Sequence, residues 1–595
     1  MTELIVGIDL GTTNSELAVI QDGQVKVLDI HGNPIMPSCV GLDPTGQLIV
    51  GQTARNQLVA APESTLLSIK RKMGEDLKVS LGDRQFSPEE ISSFVLRELK
   101  KEGERILRQP IKKAVITVPA YFNERQRKAT QIAGELAGLE VVRILNEPTA
   151  AALAYGAGHT EDERMLVYDL GGGTFDVSVV VVEQGVVEVK SSHGDTHLGG
   201  DDFDQLLVDF AVLEFKKRHS VDLLQDPKAL RRLKVALEAA KRRLSDEPFV
   251  LVREEYLDGQ QHLELEITRL QYEEMITPLL EKTLDCVHKS LEDAKLTPAE
   301  IDKVMLVGGA TRTPLVQRLL HERMKLEPRF EINPDLIVAM GAAVQAGVLA
   351  GEKHHSILVD ITPHTFSTAV LGYPRGYPEL ICAPLIVRNT PLPASKADLF
   401  GTITDNQTSV EVTAYQGEAQ MPDENVLIGK FQVTGLSQAP AGNQVVIHFE
   451  LDLNGLLKVT ATEKATGLVK SVVMDIRTVK TVNLEQARRN IADLIGQGPG
   501  EAGAELLSGE PLETRVPGAT AAGEDELTDT ADLLASAKDL RKRADLLLQK
   551  NISAEDGEEI RRLIHQSAAA ISSQDWASLS DHNDALSDLL FYLED

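Results

Sequence analysis

At 595 residues the chain is too long for a single hydrophobic core, and its length predicts three or four domains. Its 42% hydrophobic and 25% charged content are those of a soluble globular protein, and a formal charge of -29, from 61 Lys and Arg against 90 Asp and Glu, argues against nucleic acid as the main partner. Three scattered cysteines, Cys39, Cys286 and Cys382, indicate neither a disulfide framework nor a thiolate zinc site and predict a reducing, cytoplasmic setting; the start MTELIVGIDL lacks signal-peptide features, and no apolar run is long enough to span a membrane.

The first predicted element is the strand in VGIDLGTTNS, residues 6–15, which carries Asp9 in an otherwise apolar run. An unpaired buried aspartate costs several kcal/mol, so Asp9 must have a partner, lie at the strand's mouth or be protonated. Gly11 permits a tight turn after it, and Thr12, Thr13 and Asn14 supply donors suited to phosphate. Next, LLSIKRKMG brings Lys70, and SPEEISSFVLREL predicts a capped helix, with Ser87 at the N-cap, Pro88 in the first turn, Glu90 closing a capping box and Ile91, Phe94, Val95 and Leu99 on one face. AVITV, residues 114–118, reads as a strand, and ILNEPTAAALAYG, residues 144–156, as a strand end, a turn and a small-residue helix.

VYDLGGGTFDVSVV, residues 167–180, then repeats the opening plan: strand, Asp169, Leu170, Gly171 to Gly173, Thr174 and a returning strand. One copy could be an ordinary glycine turn. Two facing hairpins predict a two-sided phosphate clamp with an aspartate on each side. Downstream, VMLVGGATRTP, residues 304–314, sets Gly308 and Gly309 after a strand, where bare backbone would let an adenine or ribose lie flat and Arg312 could stack on the base. INPDLIVAMGAAVQAG, residues 332–347, repeats the strand end, turn and small-residue helix, so residues 1 to about 350 read as two duplicated α/β lobes around a cleft.

The pattern changes at GEKHHSILVDITP, residues 351–363, where Ile357, Leu358, Val359 and Asp360 read as an apolar interdomain linker. Alternation in TSVEVTAYQG and in VVIHFELDLNGLLKVTATE predicts an antiparallel β domain over 361–480. Ile447, Phe449 and Leu451 share one face there, Asn454-Gly455 makes the turn, and Leu457, Val459 and Ala461 follow. Residues 481–529 are partly helical and then Gly, Pro, Ala and Glu rich, predicting disorder, and 530–595 have a helical-bundle pattern with Leu533, Leu534, Leu540 and Leu546 to Leu548.

A P-loop is excluded, because the only Gly-Lys pair, Gly429-Lys430, precedes phenylalanine in the β domain. Phosphate must then be held by the two hairpins, and the aspartates facing it need a cation, for which magnesium is suited. Lys70 would meet the terminal phosphate, while Glu147 and Thr174 would orient a water and relay its proton. Taken singly, Lys70 reads more readily as a solvated lysine, and Glu147 could be a helix-start carboxylate and Gly308-Gly309 a plain turn. HGDTH, residues 193–197, has two histidines but too few further ligands for a metal.

GIDLGTTNS, VPAYFNERQRKAT, NEPTAAALAYG, DLGGGTFDVS, HLGGDDFD, LVGGATRTP and LVDITP, in this order over about residues 4–480, resemble the DnaK-type seventy-kilodalton heat-shock chaperones. The short, divergent C-terminal part looks most like the HscC branch. The resemblance implies a multidomain chain: an actin-like ATPase domain of two lobes (1–352), a linker (353–360), a β-sandwich that holds extended apolar peptide (361–480), a connector (481–529) and a helical lid (530–595). It implies ATP or ADP with Mg2+ and K+, placing Asp9, Asp169 and Asp176 around the ions. Gly11, Thr12, Thr13, Gly171, Gly172, Gly173 and Thr174 match the phosphate loops, and Lys70 and Glu147 the hydrolytic pair. Glu238, Lys241, Arg242, Ser245, Gly308, Gly309, Arg312 and Asp335 match the adenosine pocket. Pro119, Arg127, Arg143 and Asp360 match the relay from nucleotide to linker, and Leu371, Phe400, Ile403, Val410 and Val412 the peptide cleft. Implied partners are unfolded polypeptides, a J-domain co-chaperone and a nucleotide exchange factor, with no nucleic acid or membrane, and the chain is expected to be a monomer. Departures are Ser356 before the apolar linker, PHTFSTAVLGYPRGYPEL in place of the usual loop sequence, and Ile403 at an arch position that is often small. The expected function is an ATP-driven chaperone; the rivals are a small-molecule kinase on the same fold and a non-cycling exchange factor or holdase.

Overall fold

The computed structural model describes residues 3–156, 162–183, 185–329, 333–352, 357–453, 455–474 and 483–496, with 540, 544, 560–564, 566, 567 and 586. Two six-stranded mixed sheets organise the first part. In one, five strands run in the order Glu140–Asn146, Lys113–Val118, Ile5–Leu10, Asn14–Gln21, Gln24–Val27, and Met36–Pro37 pairs off this path. The other runs Pro328–Arg329, Lys303–Val307, Glu163–Leu170, Phe175–Glu183, Val186–Asp195, Ile357–Val359. Each is built on an antiparallel meander flanked by parallel strands, as the duplicated hairpins predict.

Alternation explains the opening strand: Val6, Ile8 and Leu10 enter the core of the first lobe, which leaves Gly7 and Asp9 on the other face. The helix Pro88–Leu107 begins on the expected capping box, with Glu90 N donating to Ser87 Oγ at 3.3 Å and Ser87 N to Glu90 Oε2 at 2.6 Å. Its Ile91, Phe94, Val95 and Leu99 are buried. The two small-residue helices, Glu147–Gly156 and Ile337–Leu349, cross so closely that a Cβ on Gly341 would lie 1.7 Å from the carbonyl oxygen of Ala150. The strand end expected before Asn333 falls partly on residues outside the described ones.

The apolar patch Ile357–Val359 is not a free tether: it pairs in parallel with Val186–Glu188 as the last strand of the second sheet. An isolated tripeptide gains nothing from extension, whereas an open sheet edge supplies the missing hydrogen bonds. Residues 353–356, with Ser356, lie outside the described residues.

Beyond the linker, two four-stranded antiparallel sheets share one core, in which Phe366, Val412 and Ile428 of one face Ile447, Phe449 and Val459 of the other. Val412 is 1% exposed in that core, Phe400 and Val410 pack against it half-buried, and Leu371 and Ile403 are exposed. Gly455, at φ +83°, occupies the turn that the sequence marked, while Asn454 is outside the described residues.

This β region rests on the α/β part. Glu124 N donates to Gln416 Oε1 at 3.0 Å, Arg125 to the Leu427 carbonyl at 3.1 Å, and Asn389 Nδ2 to Asp293 Oδ2 at 2.8 Å. The His364 ring lies 4.5 Å from that of Tyr121, with Nε2 3.0 Å from the Tyr121 carbonyl. The helix Leu484–Ile495 buries Ala487, Ile491 and Leu494 in the core of the first lobe. Leu507–Asp595 form a separate unit, in which Leu540, Ala544, Ile560, Leu563 and Leu586 make a small apolar cluster. Leu533, Leu534 and Leu546 to Leu548 lie outside the described residues. Among the described residues no helix is long and apolar enough to cross a membrane.

Candidate functional site

The two hairpins open on one cleft of about 1240 Å³, lined by Asp9, Gly11, Thr12 and Thr13 from the first and by Asp169, Gly171, Gly172 and Thr174 from the second. Both turns return antiparallel strands, so Asp9 pairs in register with Glu16 and Asp169 with Asp176. Gly172 is a glycine because a Cβ there would collide with Thr13 Oγ1 at 1.9 Å; the two turns nearly touch.

Lys70 and Glu147 meet in the floor of the cleft, Nζ donating to Oε1 at 2.5 Å, and Lys70 is 3% exposed. This is not the solvated lysine that the sequence left open. Thr117 Oγ1 donates to Asp9 Oδ1 at 2.7 Å, giving the aspartate one of the partners its position demands. Burial, then the Glu147 charge, pushes the Asp9 carboxyl up, against the pull of Lys70 and Thr117. Asp169 is pushed well above the usual carboxylate range by burial, Glu147, Asp176 and Asp9. Asp176 does not line the cleft. It sits 1% exposed behind Asp169, accepts from Tyr121 N at 2.9 Å, and is raised to about 7, chiefly by burial and by Glu147.

This crowding of carboxylates around one ammonium fits a hard divalent cation with oxygen ligands, which would offset both the burial and the repulsion that raise them. Asp9 and Asp169, opening on the cleft with Asp176 behind, are the groups that would hold it.

The far end of the cleft gathers Glu238, Lys241, Arg242, Ser245, Gly308, Gly309, Arg312 and Asp335. Arg312 donates to Asp335 at 2.7 Å, and Lys241 to the Gly200 carbonyl at 2.9 Å. Gly308 corrects the reason given for the glycine pair: at φ +82° a Cβ would lie 2.4 Å from the Leu170 carbonyl, so strand-end packing alone requires glycine there.

Three contacts across the cleft carried no sequence signal. Arg55 donates to Glu238 at 2.6 Å, Ser68 Oγ to Asp201 at 2.5 Å and Arg71 to Asp202 at 3.1 Å, each joining the first lobe to the second. Behind the floor, Arg127 donates to Asn146 Oδ1 at 2.7 Å and to the Ala120 carbonyl, next to Pro119, at 2.9 Å. Asn146 Nδ2 in turn reaches Asp360 at 3.1 Å. Asn146, in the turn of ILNEPTAAALAYG, immediately precedes Glu147. Arg143 makes no hydrogen bond through Nε, but its charge acts on Asp360. The HGDTH histidines separate: His193 is 2.8 Å from Asp293 and His197 turns to Thr196.

A family model described as "Hsp70 protein" matches residues 5–81 and 75–590. The chain is 46% identical over 507 residues to the proteins named "Chaperone protein DnaK" of Thermotoga neapolitana, Thermotoga petrophila and Thermotoga maritima, an alignment covering 82% of this chain and 83% of each relative.

Proposed function

The chain belongs to the Hsp70 family, and on that premise we propose that it is an ATP-dependent molecular chaperone and ATPase, which binds extended apolar segments of unfolded polypeptides in its β region under the control of nucleotide in the cleft. The observation that carries this reading is the chain Arg127–Asn146–Asp360, whose middle member immediately precedes Glu147 and whose end lies on the linker. It gives the nucleotide site a physical route to the β region, and coupling of this kind is reciprocal: nucleotide that weakens peptide binding must itself be weakened by peptide.

In this reading residues 1–352 are an actin-like ATPase domain, 353–360 the linker, 361–480 the peptide-binding sandwich, 481–529 a connector and 530–595 a helical lid. Backbone amides of the two hairpins cradle the phosphates. Lys70 places its ammonium at the terminal phosphate, Glu147 orients the attacking water and Thr174 relays its proton. Glu238, Lys241, Arg242, Ser245, Gly308, Gly309, Arg312 and Asp335 enclose the adenosine. Mg2+ would be held by Asp9 and Asp169 and would supply charge neutralisation on the phosphates, and Asp176 would be the carboxylate for K+. Leu371 and Ile403 offer apolar surface to a peptide. A J-domain protein and an exchange factor drive the cycle, in the cytoplasm, on a monomer. The small-molecule kinase and the non-cycling binder account for neither the strand-forming linker nor the buried Lys70–Glu147 pair.

The test is release of a labelled apolar peptide from the full chain. ATP is expected to speed release by about tenfold or more, and equal rates with and without ATP would sink the proposal.

A further inference from the structure

Glu16 lies directly across the first hairpin from Asp9, so both side chains stand on the same face of the sheet, with Cβ atoms about 5 Å apart. Its neighbours Ser15 and Leu17 turn the other way, Leu17 into the core of the first lobe. Glu16 is 2% exposed, yet it borders the cleft, and among the described residues no group donates a hydrogen bond to it. A buried carboxylate without a donor is expensive unless it takes up a proton or something absent from the polypeptide meets it.

The surrounding charges narrow what that is. Lys70 is committed to Glu147 at 2.5 Å, and Arg312 to Asp335 at 2.7 Å. Asp9 and Asp169 already need one divalent cation between them. Glu16 lines the same cleft as Asp9, its cross-strand neighbour in the clamp, which puts it beside the course a nucleotide's phosphates would take. A carboxylate beside phosphate oxygens is repelled by them unless a cation bridges the two, and a small divalent ion accepts one carboxylate, phosphate oxygens and waters together.

We propose that Glu16 creates a second divalent-cation position in the cleft, bridging its carboxylate to the phosphates of the bound nucleotide. The proposal rests on the reading of the cleft as a nucleotide site. It also assigns a role to a residue that the opening motif conceals, since Glu16 follows GTTNS directly.

Mn2+ binding to the full chain saturated with ADP, followed by the electron paramagnetic resonance of free Mn2+, tests it. Wild type is expected to take up two Mn2+ per chain. Glu16→Gln should take up one, with the affinity of that one within about twofold of the tighter wild-type site, and Glu16→Asp should retain two with the weaker site further weakened. A single Mn2+ in wild type overturns the proposal, as does a Glu16→Gln variant with an unchanged isotherm. If Glu16→Gln fails to fold, the wild-type and Glu16→Asp isotherms decide. Displacement of fluorescent ADP is measured alongside: intact nucleotide binding with one Mn2+ removes only the second cation position, whereas no nucleotide binding removes the underlying reading and this proposal with it.

Discussion

Lys70 sits where a buried ammonium is held by Glu147 at 2.5 Å, by the surrounding aspartates and by the face of Phe122, 5.7 Å from its Nζ. Removing one partner of a buried pair leaves the other uncompensated, at about 3–5 kcal/mol. Lys70→Ala is therefore expected to lower the thermal stability of the nucleotide-free chain. It should also slow single-turnover ATP hydrolysis by roughly 10²–10³-fold, the usual size of one lost electrostatic contact to a transition state. Lys70→Ala with Glu147→Gln should recover much of that stability in thermal unfolding of the nucleotide-free chain; a Lys70→Ala single-turnover rate equal to wild type in rapid-quench measurements would assign Lys70 a purely structural role. At this scale the sequence was legible where residue type and turn chemistry coincide, as at Asp9, Thr12 and Gly172. It was silent where a side chain matters through a distant partner: Arg55 meets Glu238, and Tyr121 N meets Asp176, only once the chain has folded.

Among the elements, the crossing of Glu147–Gly156 with Ile337–Leu349 joins the two lobes through backbone contact at Gly341 and Ala150. A methyl group there must push the helices apart, and overpacking of this kind costs about 1–3 kcal/mol or more. Gly341→Ala is expected to lower the first thermal unfolding transition and weaken ADP binding, because Glu147 begins one helix and Val338, on the first turn of the other, lines the cleft. An unchanged transition and unchanged affinity would mean that the lobes tolerate separation at this point. The small-residue pattern of both helices announced the close approach, and the capping box of Pro88–Leu107 and the alternating strands of the β region were equally readable, since all depend on local periodicity. The burial of Val412 and the recruitment of Ile357–Val359 into a sheet were not. A period of two says which residues share a face, and it is the partner sheet that decides which face becomes core.

At the scale of the whole molecule, two titratable groups lie in the contact between the α/β and β regions, with opposite effects. His364, faced by Tyr121, Arg127, Glu418 and His193, is pushed from 6.5 down to about 4, mainly by burial. Glu124, faced by Arg127 and Asp452, is pushed from 4.5 up to about 8, again mainly by burial. A depressed histidine favours contact fully above 6.5 and loses that contribution as pH falls towards 4. A raised glutamate favours contact fully below 4.5 and loses it as pH rises towards 8. The two slopes, each roughly tenfold per pH unit, cancel between 4.5 and 6.5 and leave a net weakening from 6.5 to 8. Energy transfer between dyes on the two regions is expected to follow that profile. Glu124→Gln should abolish the alkaline weakening and His364→Gln the acidic one; a profile unmoved by either variant would place the pH response elsewhere. The strand Ile357–Val359 has a further consequence for how the protein behaves in a crowded solution. Whenever that strand leaves, Val186–Glu188 become a bare sheet rim with free amides and carbonyls, a template on which another extended chain can polymerise. The part that the strand covers is three residues of the ten-residue strand Val186–Asp195 and carries Glu188, with Lys190 close behind, so charge at that rim opposes self-assembly.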